Sequence, residues 1–510
     1  MPNALQSLTI GAPAFLGLNT QDSPLSVGEN YAETADNCVI DRYGRLGARK
    51  GRALVTETAT ELGSSAGLET IYHYVVVSGS DEGSELVFSA GNNKILSGTT
   101  TLVDETPSGY SITANNWQVA EQAGHVYFFQ KNHEPLVYSD DTEFFEPMSS
   151  HTDATGTPPE ANCVLAAFGR LWAGDIANDE GTLYWSDTLL GAQWSGGTSG
   201  SIDLANVWPN GYDSIVAVEE HNDFLVIFGR RSIVIYTGAE DPSTMEVYDT
   251  IKSVGCVDRD TVQSVVGELV FLSDRGLMGL GRVLQDGSAP LDDLSKNVRD
   301  DLLLDISDQT SPIKSVYSPE EAFYLLSFTD INKVWCFDVR QKLENNSFRT
   351  TEWTQLTLES FHRTRTGTLY LGVTNGLATY SGYQDEDSAY TMKYYTHPLS
   401  FGDPSRLKFL KSINITFIGS GDIPGTLFWS YNYGASFTSA QYTVSNPNVA
   451  EYNLAEYNIG EYTSGILFNK FRKNTTGSGD NVIIGLQALV DSQLVSIQQL
   501  DIKAVVGRGN

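Results

Sequence analysis

Glu85-Leu-Val-Phe88-Ser-Ala-Gly91, Gly124-His-Val-Tyr-Phe-Phe129, Phe168-Gly-Arg-Leu-Trp172-Ala-Gly174, Asn222-Asp-Phe-Leu-Val-Ile-Phe-Gly229, Gly267-Glu-Leu-Val-Phe-Leu272, Ala322-Phe-Tyr-Leu-Leu-Ser327 and Gly367-Thr-Leu-Tyr-Leu-Gly372 are variations on one theme. Each is a short β-prone run beside a glycine or a polar turn. Anchored on Val87, Tyr127, Leu171, Leu225, Leu269, Phe323 and Leu369, they recur at steps of 40, 44, 54, 44, 54 and 46 residues. That period matches one four-stranded blade of a β-propeller. The spacing predicts an all-β fold with a propeller of six to eight blades over residues 56–389. The 54-residue steps leave room for insertions.

Around one anchor the blade can be read strand by strand. Tyr212–Val218, Phe224–Phe228 and Ser232–Tyr236 form a meander with two short turns, and Met245–Tyr248 supplies a fourth strand. One segment departs from this pattern. Leu291, Leu294, Val298, Leu302 and Leu303 stand at helical spacing, which predicts a short amphipathic helix over 291–305.

Either side of the blades the repeat disappears. Residues 1–55 are loop-rich and end in Asn37-Cys-Val-Ile-Asp-Arg-Tyr-Gly44-Arg-Leu-Gly47-Ala-Arg-Lys-Gly51, which reads as a hairpin turning at Tyr43-Gly44. Residues 390–510 carry alternating runs such as Leu410–Phe417, Thr426–Tyr431 and Leu494–Ile502, expected to form a β-sandwich with the N-terminal segment. Within them Ala450-Glu-Tyr-Asn-Leu, Ala455-Glu-Tyr-Asn-Ile and Gly460-Glu-Tyr repeat every five residues. That period fits neither helix nor strand. Tyr452, Tyr457 and Tyr462 either anchor a protein contact, as tyrosine does at low entropic cost, or belong to a solvated loop.

The chain has 510 residues and a net charge of −31. Residues 1–55 and 390–510 are each near balance, whereas 56–389 carry 18 basic and 50 acidic groups. A body of charge −32 repels nucleic acid and anionic membranes. It either lines a channel or simply keeps the protein soluble. Apolar runs stop at five or six residues, too short to span a bilayer. The N-terminus does not read as a signal peptide. Cys38, Cys163, Cys256 and Cys336 form no C-x-x-C and read as thiols in a reducing cytoplasm.

Little chemistry is written in the chain. There is no phosphate-cradling G-x-x-x-x-G-K-[ST], no G-x-S-x-G and no H-E-x-x-H. His125 and His133 flank one hairpin with no thiolate or carboxylate pair beside them. Ser430-Tyr-Asn432-Tyr-Gly434-Ala-Ser436-Phe437 is similar to the Asp box of sialidase-like propellers, with Ser186-Asp187…Trp194 a looser echo. That box is a structural hairpin, and the better copy lies outside the blades. The expectation is no enzymatic activity, no metal and no cofactor.

The head of the chain adds a resemblance. Asn37, Gly44, Arg49 and Gly51 fall where tail nozzle proteins of short-tailed bacteriophages (tail tubular protein B, or tail stabilisation proteins) carry an Asn, a strand, a Gly turn and Arg-x-Gly. The resemblance covers the first 55 residues well, and the rest mainly in architecture. It implies a structural virion protein assembled in the bacterial cytoplasm. Such a protein forms a homo-hexameric ring at the distal tail end, docks on an adaptor ring, holds fibres or spikes and gates double-stranded DNA ejection. On that reading Arg42, Arg45, Arg49, Lys50 and Arg52 face the adaptor or a neighbouring subunit. The alternative is that Arg49 caps local carbonyls and the others are solvated. The competing function is a carbohydrate-binding or glycosidase-like propeller acting on host surface glycans.

Overall fold

The computed structural model describes residues 5–507 apart from 25, 80, 114, 210, 282–290, 420–422, 435 and 445–466. All seven anchors lie on the second strand of a blade, and all are buried. The first strands of the seven blades are Thr70–Val75, Gln118–Gln122, Ala161–Ala167, Ile215–His221, Gln263–Val265, Lys314–Ser318 and Ser360–Arg363. They line the axis, and the seventh lies beside the first, so the propeller is a closed ring of seven.

Each blade meets the next through its own apolar layer. Phe88 of the first blade packs edge-on against Phe128 of the second at 6.1 Å between ring centres. Phe228 of the fourth blade meets Phe271 of the fifth at 4.9 Å. These rings come from strands whose two faces are both covered, which is why the runs are continuously apolar rather than alternating.

The ring closes by a device the blade repeat does not reveal. The seventh blade takes three strands from Ser360–Arg363, Leu369–Val373 and Gly376–Tyr380. Its fourth is Arg52–Glu57, antiparallel to Gly376–Tyr380, with Tyr380 opposite Arg52 and Gly376 opposite Glu57. The expected domain boundary at 55/56 therefore cuts a strand. The sequence Arg-Ala-Leu-Val-Thr-Glu is half exposed and does not alternate. Backbone pairing, not side-chain burial, sets its place.

The termini build a two-sheet platform. One sheet contains Cys38–Ile40, Leu46–Ala48, Val495–Val506, Lys408–Gly419 and Leu467–Asn474, with Leu5–Gly11 and Ser478–Gly479 at its margins. The other runs through Ala32–Asp36, Tyr390–Thr396, Val482–Val490, Ile423–Tyr431 and Phe437–Val444. It continues into the sixth blade, because Ala32–Asp36 also pairs in parallel with Arg349–Thr354 at Asp36 opposite Glu352. Ile413, Ile415, Phe417, Leu427, Ile484 and Leu500 fill the platform, and the same apolar cluster continues between the fifth and sixth blades.

The helix differs from expectation. Leu291–Asp293 is the outer strand of the fifth blade, and the helix spans Arg299–Asp308. Leu294 and Val298 are buried without being helical. Their spacing reflects a turn that links the outer strand of the fifth blade to the helix, not one helix face.

Candidate functional sites: the strap junction and the axial cavity

Three of the residues that carry the resemblance, Asn37, Arg49 and Gly51, meet at one junction. Asn37 adopts a left-handed backbone conformation at φ 55°, which Asn tolerates better than most residues. Its N–H donates to the Glu352 carbonyl of the sixth blade at 2.8 Å, and its carbonyl accepts the Arg49 N–H at 3.1 Å. Its amide donates to the Thr391 carbonyl of the platform at 3.1 Å. The amide oxygen accepts Arg49 Nε at 2.9 Å.

Arg49 completes the knot. Its guanidinium is buried, stacks over the Tyr390 ring at 4.1 Å and donates to Asp385 through Nη1 at 2.9 Å and Nη2 at 2.6 Å. A fourth donation, from Nη1, reaches the Lys50 carbonyl at 3.0 Å. Gly51 passes so close to the chain at Gln384 that a Cβ would lie 1.7 Å from that carbonyl oxygen. At Gly44, φ is 70° and a Cβ would lie 2.7 Å from Pro13 Cα. Asn37, Arg49 and Gly51 therefore weld strap, platform and propeller, and Gly44 packs the hairpin turn against Pro13.

This corrects the grouping of five cations as one surface. Arg49 is inside the molecule. Lys50 pairs with Glu321, and Arg52 with Glu386 at 3.1 Å. Arg42 and Arg45 flank the Tyr43 ring at 4.7 and 4.2 Å at the hairpin turn. Tyr43 is half exposed, so this corner is the part of the strap open to a partner. Tyr452, Tyr457 and Tyr462 lie outside the described residues.

The remaining sequence candidates are structural. Ser430 Oγ donates to the Ser436 carbonyl at 2.7 Å, and Asn432 Oδ1 accepts the Asp480 N–H at 3.0 Å. With Asn432, Tyr433 and Gly434 all at positive φ, the box is a hairpin turn of the platform. Ser186 Oγ accepts the Leu171 N–H at 3.0 Å, tying the third blade together. His125 and His133 sit at opposite ends of their hairpin, opposite Ser139 and Gln130. Burial holds all four cysteine thiols above their usual range. Among the described residues no group of three or more His, Cys, Asp and Glu is placed to hold a metal ion, and no helix is long and apolar enough to cross a membrane.

One site has no counterpart in the sequence reading. At the end of the propeller where the first strands begin, a polar crossbar spans the axis. Arg259, ahead of the fifth blade, donates to Asn162 Oδ1 of the third at 2.8 Å and to the Asn116 carbonyl ahead of the second at 2.7 Å. Lys314 of the sixth blade pairs with Asp260 at 2.6 Å and reaches Asn116 Oδ1. Burial raises the Asp260 pKa, but Lys314 and Arg259 more than offset this and hold it below the usual carboxylate range.

Against the crossbar lies a cavity of about 330 Å³, lined from six blades by Tyr72, Gln118, Glu219, Ser264, Ser315 and His362 among others. Burial, then the neighbouring Glu220, push the Glu219 carboxyl up to about 8. Burial, then His73, push the His362 imidazole down to about 4. Both shifts favour the uncharged form. Sequence offered no sign of the cavity, because its six walls lie on separate blades.

No family model matches the chain, and no curated protein does. Solved structures similar to it include propeller and extracellular domains. The extracellular domain of BT4673 from B. thetaiotaomicron is 12% identical at a TM-score of 0.40, covering 66% of this chain and 40% of its own. The WD40 propeller of Doa1 is 11% identical at 0.36, over 65% of this chain and 95% of its own. The Pan2 WD40 domain of Neurospora crassa is 10% identical at 0.36, over 65% and 94%. This chain thus spans about two-fifths of the BT4673 structure. The likeness is one of fold alone.

Proposed function

We propose that this chain is a structural virion protein, the distal tail nozzle of a short-tailed bacteriophage. Six copies ring the DNA channel, dock on an adaptor ring and carry fibres or spikes. One observation carries the reading: three of the four residues of the resemblance, Asn37, Arg49 and Gly51, sit where propeller joins platform, and the fourth, Gly44, turns the strap hairpin against Pro13. The motif is thus a requirement of this two-part architecture, and a chain that carries it has reason to share the architecture.

The charge of the body supports the channel role. A wall of net negative charge repels the DNA backbone most strongly within about 10 Å, one Debye length at 0.1 M salt. DNA then slides without dwelling, and closure before infection falls to loops crossing the channel. Acidic or Gly/Ser-rich blade-end turns such as 78–84 and 176–181 are the candidates, and these two leave opposite ends of the blades. The first joins the first and second strands of its blade, the second joins the second and third strands. Only one of them lies at a given end of the propeller.

The Arg42–Tyr43–Arg45 corner is the proposed contact with the adaptor or the neighbouring subunit. Arg42→Glu with Arg45→Glu is expected to abolish assembly while leaving the monomer folded, read by native mass spectrometry. Intact rings from that variant count against the contact. A chain that stays monomeric and binds host glycans instead favours the carbohydrate-binding reading.

A further inference from the structure

We infer that copies of this chain join edge to edge, the outer strand of the fourth blade of one copy pairing with the platform strand Leu467–Asn474 of the next. The inference deepens the ring reading, on which it rests for self-association, by naming the contact between neighbours.

The propeller side emerges from comparing the outer strands of the seven blades. Those of the first, second, third and fifth blades are Val103–Asp104, Phe145–Pro147, Gly200–Asp203 and Leu291–Asp293, two to four residues long. Edges this short offer little to another chain. The outer strand of the sixth blade, Arg349–Thr354, is met by Ala32–Asp36. In that of the seventh, the Arg52 carbonyl accepts the Glu386 N–H at 2.9 Å. The fourth blade is the exception. Its outer strand Glu246–Lys252 has seven residues, ends its sheet, and leaves Val247 and Tyr248 44% and 45% exposed. A long edge strand with exposed apolar side chains is a template for strand addition.

The platform supplies a strand of matching length and opposite charge. Leu467–Asn474 has eight residues and is the last strand of the first platform sheet. It carries Lys470, Arg472 and Lys473 and no acid, and its Phe468 is 63% exposed. None of these three cations makes an ion pair among the described residues. The other long platform margins, Leu5–Gly11 and Phe437–Val444, carry no charged side chain. The fourth-blade edge and the turn before it are acidic, with Glu240, Asp241, Glu246 and Asp249 against Lys252. None of those five makes an ion pair among the described residues either.

The two edges therefore attract each other, whereas two copies of the same edge repel. Like charge disfavours a symmetric pairing of identical strands and leaves a head-to-tail contact, the kind that generates a ring when its rotation closes. One antiparallel register satisfies the charges. With Asp249 opposite Lys470, Glu246 lies opposite Lys473, Tyr248 opposite Phe471 and Ile251 opposite Phe468. Opposite-charge and aromatic cross-strand pairs are those that stabilise an antiparallel ladder.

Charge exchange across that register is the test, read by sedimentation velocity and native mass spectrometry of the full chain at about 0.15 M salt. Asp249→Lys sets a lysine against Lys470, and Lys470→Asp sets an aspartate against Asp249. Each variant alone is expected to associate at least about tenfold more weakly than the unaltered chain. An equimolar mixture of the two should recover association, because every contact between unlike variants again pairs opposite charges. Recovery on mixing also shows that both variants are folded. Variants that assemble alone as well as the unaltered chain overturn the inference and leave the ring reading standing, as does a mixture that fails to recover. An unaltered chain that never associates overturns both.

Discussion

Arg49 and Asp385 stand 336 positions apart in the chain yet meet through two parallel hydrogen bonds, Nη1 to Oδ1 at 2.9 Å and Nη2 to Oδ2 at 2.6 Å. The pair ties the strap that closes the propeller to the segment that leaves it. Removing one partner of a buried pair strands the other's charge, at a cost of about 3–5 kcal/mol, whereas replacing both by apolar groups of similar size is close to neutral. Asp385→Ala is therefore expected to lower the denaturation midpoint steeply. Arg49→Met combined with Asp385→Leu should recover most of the loss in the same urea titration. Equal loss in both variants would show that the charges themselves hold the junction.

Gly51→Ala tests the same junction by volume. The added methyl meets the Gln384 carbonyl at 1.7 Å, so the backbone must move. Gly63 is the internal control, since its φ is 71° but no atom lies within 4 Å of an added Cβ. Gly63→Ala should cost about 1 kcal/mol from the left-handed backbone alone, and Gly51→Ala clearly more.

The blade core is tested at Leu225 and Leu269, both 0% exposed. A carboxylate at either position is buried without a partner, costing several kcal/mol. Leu225→Asp and Leu269→Asp should leave no soluble folded protein. Val266, 75% exposed beside the second site, should accept Asp within about 0.5 kcal/mol.

His362 predicts a pH dependence with a definite sign. Its imidazole titrates near 4 in the folded chain and near 6.5 when unfolded. Between these values the unfolded state binds more protons, so stability falls as pH drops from 6.5 to 4. His362→Gln removes that contribution. The stability difference between the two proteins should shrink on acidification through this window, followed by urea midpoints at pH 7, 6, 5 and 4.

The second strand of every blade was legible because it is the most buried and carries continuous apolar runs, so all seven anchors fell on it. The blade number was not, because the 54-residue steps contain other structure. One holds the long hairpin turn around Asp187, and the other the helix Arg299–Asp308. Closure by Arg52–Glu57 was hidden, since an outer strand held by backbone pairing needs no apolar pattern. The strap cations misled because their partners Glu321, Asp385 and Glu386 are remote in sequence. The acidic run Asp385-Glu386-Asp387, close before Tyr390, was the available signal for the basic strap.

The ring is the central claim, and negative-stain microscopy with native mass spectrometry of the purified chain, alone and mixed with the proposed adaptor ring, tests it most directly. The account predicts particles of six copies around an open axis, with acidic groups outnumbering Lys and Arg nearest that axis. A chain that stays monomeric in both preparations, or a six-fold ring whose inner wall is mainly Lys and Arg, would contradict it.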